Sequence, residues 1–267
     1  MRIAALITCF NRRETTLTCL RGLASQNLPG NVSVETVLVD DGSKDGTRDA
    51  VLKEFPDTRV ISGDGSLYWC GGMRKAWSEA AVSKPDFYLL LNDDTLLHQD
   101  ALEGLLRITS SPEDRIIAVA AIQDPLSGEA TYGGVRKSGG LVAASGREEI
   151  CETFNANAVL VSNAVFRELG MFHDAYTHGM GDFDYGYAAT RRGIKVIQSP
   201  DFLGKCERND LAGTWRDRSL SLGVRWKQLR GPKGLPFSEW MTFNRRNAGW
   251  SWPIRTVSPY VKVLLGR

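Results

Sequence analysis

Thr36-Val37-Leu38-Val39-Asp40-Asp41-Gly42-Ser43 and Phe87-Tyr88-Leu89-Leu90-Leu91-Asn92-Asp93-Asp94 share one pattern: an apolar run that ends in acids. A β-branched or aromatic run bounded by turn formers reads as a central strand of a parallel sheet, and ligands of such sheets sit outside the carboxyl ends of the strands. Both acidic clusters are therefore predicted to line one cleft. Carboxylates gathered at one rim repel each other unless a cation lies between them, and hard oxygen ligands suit Mg²⁺ or Mn²⁺ carrying a phosphorylated substrate.

The surrounding pattern supports that frame. Residues 2–8 read as a first strand and 14–25 as a helix with Leu17, Leu20 and Leu23 on one face. Strands are expected at 34–39, 59–62 and 87–91, and helices at 45–55, 73–83 and 100–108, an alternation that argues an α/β fold with a parallel sheet. After Ile116 the periodicity changes. Strands at 116–122, 141–144, 157–162 and 195–197, with helices at 164–169 and 185–192, predict that the sheet becomes mixed.

The loop after the first strand, Thr8-Cys9-Phe10-Asn11-Arg12, either offers an aromatic face and the Asn11 amide to a nucleobase or is a plain strand-to-helix turn. It has neither the Gly-x-Gly-x-x-Gly dinucleotide fingerprint nor a Walker loop. Asp40 and Asp41 can accept hydrogen bonds from a base N–H and a ribose hydroxyl, or serve the turn itself. Asn92 and Asp94, two residues apart, point to one side in extended geometry, and Asp93 to the other. Asp94 is thus the metal candidate and Asn92 a neutral contact. Asp182 and Asp184 stand between glycines and a helix, as a general base facing the cleft or as helix caps. His178 reads either as an acceptor contact or as a structural histidine. Lys205 and Arg208 are a candidate diphosphate clamp or solvated cations. The amides of Asn155 and Asn157, on an otherwise apolar segment, are expected to line the cleft.

Composition sets the bounds: 267 residues, 42% hydrophobic and 24% charged, describe a large domain with or without an appendage. No secretory h-region is visible in the first residues, and no apolar run is long enough to span a bilayer. Five cysteines without a Cys-x-x-Cys pair fit reduced thiols, so a cytoplasmic protein is expected. The net charge of +2 hides an asymmetry: residues 201–267 carry 13 Lys and Arg against 5 Asp and Glu, and the first 200 carry 20 against 26. That tail also holds five of the seven tryptophans. Trp240, Trp250 and Trp252 interleave with Arg245, Arg246 and Arg255, which reads as a peripheral contact with the inner membrane surface, or as a basic face over an aromatic core. No nucleic-acid partner is expected.

Ile7-Thr8-Cys9-Phe10-Asn11-Arg12, then Val39-Asp40-Asp41-Gly42-Ser43-Lys44-Asp45-Gly46-Thr47, then Leu91-Asn92-Asp93-Asp94, and finally Gly181-Asp182-Phe183-Asp184 with Arg191-Arg192-Gly193 follow in an order that resembles family 2 inverting glycosyltransferases of the GT-A fold. The resemblance covers residues 1–200. It implies a Rossmann-like mixed central sheet flanked by helices, with a donor half at 1–115, an acceptor half at 116–200, and a helical or irregular extension at 201–267. It implies transfer of a sugar from a dTDP- or UDP-linked donor to a glycan or lipid-linked acceptor. Base and ribose fall on Thr8, Phe10, Asp40 and Asp41, diphosphate and Mg²⁺ or Mn²⁺ on Asp94, and the catalytic base on Asp182. Gly65-Ser66-Leu67-Tyr68-Trp69-Cys70-Gly71-Gly72-Met73 resembles the loop of bacterial rhamnosyltransferases, which places the donor sugar against Trp69, Gly71, Gly72 and Met73. Two positions depart from the family pattern: Asn92 stands where an Asp is common, and Gly181 where a Glu precedes the catalytic aspartate. No late His follows His178. A sugar nucleotidyltransferase and a non-catalytic nucleotide- or carbohydrate-binding module are the rival readings.

Overall fold

The computed structural model describes residues 1–266. Its first part alternates strand and helix: β1 (Arg2–Cys9), α1 (Arg13–Ala24), β2 (Ser33–Asp40), α2 (Thr47–Glu54), β3 (Arg59–Ser62), α3 (Tyr68–Ala81), β4 (Phe87–Leu91), β5 (Leu96–Leu97) and α4 (Ala101–Ile108). The second part is richer in short strands: β6 (Ile116–Gln123), β7 (Ala130–Tyr132), β8 (Gly134–Val135), β9 (Glu149–Cys151), β10 (Thr153–Phe154), β11 (Ala158–Ser162), α5 (Asn163–Leu169), α6 (Gly181–Arg191) and β12 (Lys195–Lys205). Three helices close the chain, α7 (Leu222–Arg230), α8 (Phe237–Asn247) and α9 (Trp252–Leu264).

The main sheet runs β3-β2-β1-β4-β11-β6-β12-β5. β3, β2, β1 and β4 are parallel, with Cys9 level with Asp40, so the ends of β1, β2 and β4 open on one edge. β11 runs antiparallel between β4 and β6, which makes the sheet mixed. Side chains alternate across each strand. Ile3, Ala5 and Ile7 pack with Leu17 and Leu20 of α1, Val51 of α2 and Leu102 and Leu105 of α4. Ala4 and Leu6 face Met73 and Trp77 of α3, Val165 of α5 and Tyr185 of α6. The result is a sheet between two helical layers. All five cysteines are free and buried.

Four expected elements differ. Helix α3 starts at Tyr68, five residues before its expected start, so the Trp69 to Met73 segment is helix and not loop. Its backbone approaches β1 so closely at Gly72 that a Cβ there would stand 2.1 Å from Thr8 Oγ1. Helix α6 starts at Gly181, which puts Asp182 and Asp184 inside its first turn. The segment expected as a strand at 141–144 makes only a single bridge, Leu141 to Val135. The strand expected at 195–197 runs on to Lys205 through a bulge. Pro200 has no N–H for the ladder, and Ser199 fills the gap by accepting from Ala121 N–H at 2.9 Å and donating to the Asp201 carbonyl at 2.8 Å.

The extension is folded on a small core of its own. Leu229, Tyr260 and Val263 are buried there, with Trp215, Trp226 and Trp240 packed around them.

Candidate active site

At the open edge, the ends of β2 and β4 carry their acids in different ways. Asp40 is buried and accepts Ser43 N–H at 2.8 Å. Asp41 is also buried, and both its oxygens are taken: Gly65 N–H reaches one at 2.9 Å and Tyr68 N–H the other at 3.0 Å. Asp41 thus holds the β3–α3 loop and caps α3 across the chain, a fixed structural task. Asn11 does the same for its neighbour. In the left-handed region at φ 52°, it accepts Lys44 N–H at 2.7 Å, and its own N–H goes to Ser43 Oγ. Phe10 stands free beside them, half-exposed, with its face available to a flat ligand.

The end of β4 is organised by Arg12, a residue that the sequence motifs did not single out. Its guanidinium lies 2.8 Å from Asp93 and 3.0 Å from Asp94. Asp93 is buried beneath it and also receives Thr16 Oγ1 at 3.4 Å; Asp94 is partly exposed. Both acids therefore converge on one cation, although only Asp94 opens to solvent. Burial raises the Asp93 carboxyl to about 6, against the pull of Arg12 and with the help of Asp94. Asn92 accepts the Trp69 indole N–H at 2.8 Å. Trp69 in turn lies against Phe172 with ring centroids 5.4 Å apart.

Other residues expected around the donor sugar have packing roles. Met73 is fully buried in the core, Gly72 is the crossing point over Thr8, and the N–H groups of Cys70 and Gly71 both point at the Thr177 carbonyl. Arg208 lies in an exposed loop and, among the described residues, reaches only the Ala130 carbonyl, at 3.4 Å. Asn157 donates to Thr95 Oγ1, and its carbonyl accepts Asn92 N–H.

The start of α6 forms the second centre. Asp182 accepts Phe183 N–H at 2.9 Å and Ala156 N–H at 3.3 Å. Burial raises its carboxyl to about 6, and these backbone donors offset only part of the rise. Through Ala156 and Asn157 it is tied to Asn92, so the two centres share one wall. A side chain at Gly181 would place its Cβ 2.6 Å from Cys70 Sγ, which explains why this position lacks one. Asp184, expected on the acceptor side, points the other way. It is buried, with both oxygens 3.0 Å from Arg246 Nε and one 2.7 Å from Asn247 Nδ2. Glu239, on the same helix α8, accepts Thr177 N–H at 3.0 Å. The extension thus braces the segment that holds Asp182. No local pattern in the sequence marks Glu239 or Arg246 for this, because their partners lie 62 residues away. His178 sits edge-on to Tyr68, its Nδ1 buried without a hydrogen-bond partner among the described residues, and burial, with Lys233, lowers its pKa to about 4.

A divalent cation fits this site in one way. Among the described residues, no group of three or more His, Cys, Asp or Glu side chains could enclose a metal. Asp94 nevertheless presents a partly exposed carboxylate, and Mg²⁺ commonly binds through one or two carboxylates and the substrate's phosphates. Cavities of about 890 Å³ beside α1 and β5, and about 380 Å³ between α8 and α9, lie elsewhere and include none of Asp40, Asp94 and Asp182.

The same architecture is found in solved structures. The mannosyltransferase PcManGT from Pyrobaculum calidifontis, in complex with GDP-Man and Mn²⁺, superposes with a TM-score of 0.63 at 14% identity, over 99% of this chain and 73% of its own. S. aureus TarS 1–349 in complex with UDP-GlcNAc gives 0.60 at 12% identity, over 100% of this chain and 81% of its own. No curated protein matches the sequence. The family model described as glycosyl transferase family 2 matches residues 4–160, from β1 through β11. With that match over more than half its length, and with the GT-A architecture, the chain belongs to glycosyl transferase family 2.

Proposed function

We propose that the protein transfers a sugar from a nucleoside diphosphate donor to a hydroxyl of a glycan or lipid-linked acceptor, with inversion at the anomeric carbon. The observation that carries this reading is the carboxylate of Asp182. It is held by two backbone N–H groups with no cation paired to it among the described residues, and burial raises it to about 6, where a carboxylate is charged at neutral pH yet basic enough to take a proton. The acceptor oxygen attacks the anomeric carbon, and its proton passes to an Asp182 oxygen. The bond to the diphosphate breaks, and the electron pair leaves with it.

Phe10 offers its face to the base, and Asp40 receives base or ribose donors. Asp41 and Asn11 contribute by fixing the loops around them. Arg12, next to Asp94, meets the negative charge of the donor; a Mg²⁺ or Mn²⁺ ion held by Asp94 and the phosphates would neutralise the departing diphosphate. The unpaired Nδ1 of His178, at the joint between α3 and α6, supports an acceptor contact. Because Trp69 and Asn92 form the rest of the wall, a deoxysugar with an apolar edge suits it, and a rhamnosyl donor is the first to test.

Calorimetry with UDP, dTDP, GDP and the matching triphosphates, with and without Mn²⁺, decides the class of ligand. Diphosphate binding strengthened by Mn²⁺ is expected. A preference for triphosphates would replace this reading with a nucleotidyltransferase, and absence of binding to any nucleotide would leave a carbohydrate-binding module.

A further inference from the structure

Helix α9 buries one face and leaves a second apolar face bare. Thr256, Tyr260 and Val263 pack against the extension's core. Ile254, Val257, Val261 and Leu264 are exposed, Ile254 at 70%. At 3.6 residues per turn these four fall within an arc of about 80°, beside the buried face. Leu265 and Trp250, the latter 90% exposed, extend the stripe at either end of the helix. Scattered exposed apolar residues need no explanation, but a continuous stripe does.

The charges around the stripe say what covers it. From Trp240 through Arg267 there are five basic residues and no acid. Arg246 is engaged by Asp184, and Arg245 lies over the Trp252 ring at 5.1 Å. Arg255 and Lys262 are exposed on the flank of α9 and line the 380 Å³ cavity, with Tyr187, Trp240 and Phe243. α7, which packs on α9, adds Lys227 and Arg230. A second copy stacked on this stripe would bring like charges together with no acid in the segment to pair them. At 13 residues α9 is too short to span a bilayer, and among the described residues no helix is long and apolar enough to do so.

We propose that α9 docks in the plane of an anionic membrane surface. The Ile254, Val257, Val261 and Leu264 face enters the interfacial region, and Arg255 and Lys262 meet headgroup phosphates. Trp240 and Arg246, which look membrane-facing in the sequence, belong to the internal packing; Trp250 and the α9 stripe take their place. This docking is independent of which sugar is moved.

The test is co-sedimentation of the full-length protein with phosphatidylglycerol-containing vesicles and with pure phosphatidylcholine vesicles, at low and high salt. Binding to the anionic vesicles that weakens with salt is expected. Val261→Asp/Leu264→Asp and, separately, Arg255→Glu/Lys262→Glu should each weaken it by at least about tenfold. All four positions are exposed, so thermal melting should be unchanged; if the apolar variant does not fold, the charge-reversal variant decides alone. No pelleting with anionic vesicles, equal binding to both vesicle types, or undiminished binding by the variants would overturn the proposal. So would a dimer in sedimentation that Val261→Asp/Leu264→Asp abolishes, because the stripe would then be a self-association face.

Discussion

Asp93 and Asp94 share Arg12 at the end of β4, whereas Asp182 at the start of α6 has only backbone N–H groups as partners among the described residues, and Arg246 pairs instead with Asp184. Burial raises both Asp93 and Asp182 to about 6, so proton affinity alone does not separate the two centres. Their partners do. A carboxylate locked to a guanidinium is a poor proton acceptor in a reaction but a good anchor for a cation-bearing, phosphorylated ligand. One paired only with amide N–H groups keeps an oxygen that can accept a proton. Two residues further along α6, Asp184 shows what the same helix turn does when a guanidinium is supplied: it becomes a structural clamp.

The first way to break this contrast is Asp182→Asn. An amide of the same shape cannot take the proton, and transfer should fall by about 10²–10⁴-fold with donor affinity nearly unchanged. Retention of more than about a tenth of the turnover would mean that Asp182 is not the base. Asp94→Ala should weaken Mn²⁺-supported donor binding in calorimetry by about tenfold or more, and Asp93→Ala, whose carboxylate is buried under Arg12, should chiefly lower the melting temperature. Equal loss of donor affinity in both would erase the distinction between anchor and prop.

Asp184→Ala leaves Arg246 and Asn247 without their buried partner and should cost about 2 kcal/mol in denaturant unfolding, discounted from the range for fully buried pairs because Arg246 is 37% exposed. A loss of turnover without loss of stability would instead put Asp184 at the acceptor. The smallest effect is in pH. Because the folded-state pKa of Asp182 is raised, the native state holds that proton more tightly than the unfolded chain, and its charged form costs stability above the unfolded value. The unfolding free energy of Asp182→Asn relative to the parent should therefore grow as pH rises from about 4 to about 6 and level off above it. Parent turnover should rise through the same window. A stability difference flat with pH would remove the burial explanation.

Much of the frame is legible in the sequence because it rests on local pattern. The runs that end in Asp40 and Leu91 are strands, they are parallel through β1, and their ends share an edge. What escaped was decided by distant contacts. Nothing around Met73 distinguishes a wall of the donor pocket from a core side chain until α3 is seen lying on β1, with Gly72 against Thr8. Pro200 looks like the end of a strand, but a serine-bridged bulge lets β12 pass it. Arg12 carries no local signal, because a cation after a strand has no meaning without the acids 81 and 82 residues away that it joins. Arg246 reads as a surface charge for the same reason.

The five buried thiols give the molecule a set of internal clocks. Cys9, Cys19, Cys70, Cys151 and Cys206 are all enclosed, and burial pushes each thiol upward, so in the native state they are nearly inert to thiol reagents. Labelling then waits for opening of the local structure. Cys19 lies on the buried face of α1, Cys151 on β9, and Cys70 in the seam between α3 and α6, where its Sγ faces the His178 carbonyl at 3.1 Å. The order in which a thiol reagent modifies these sites under mild denaturant reads out which layer of the protein loosens first.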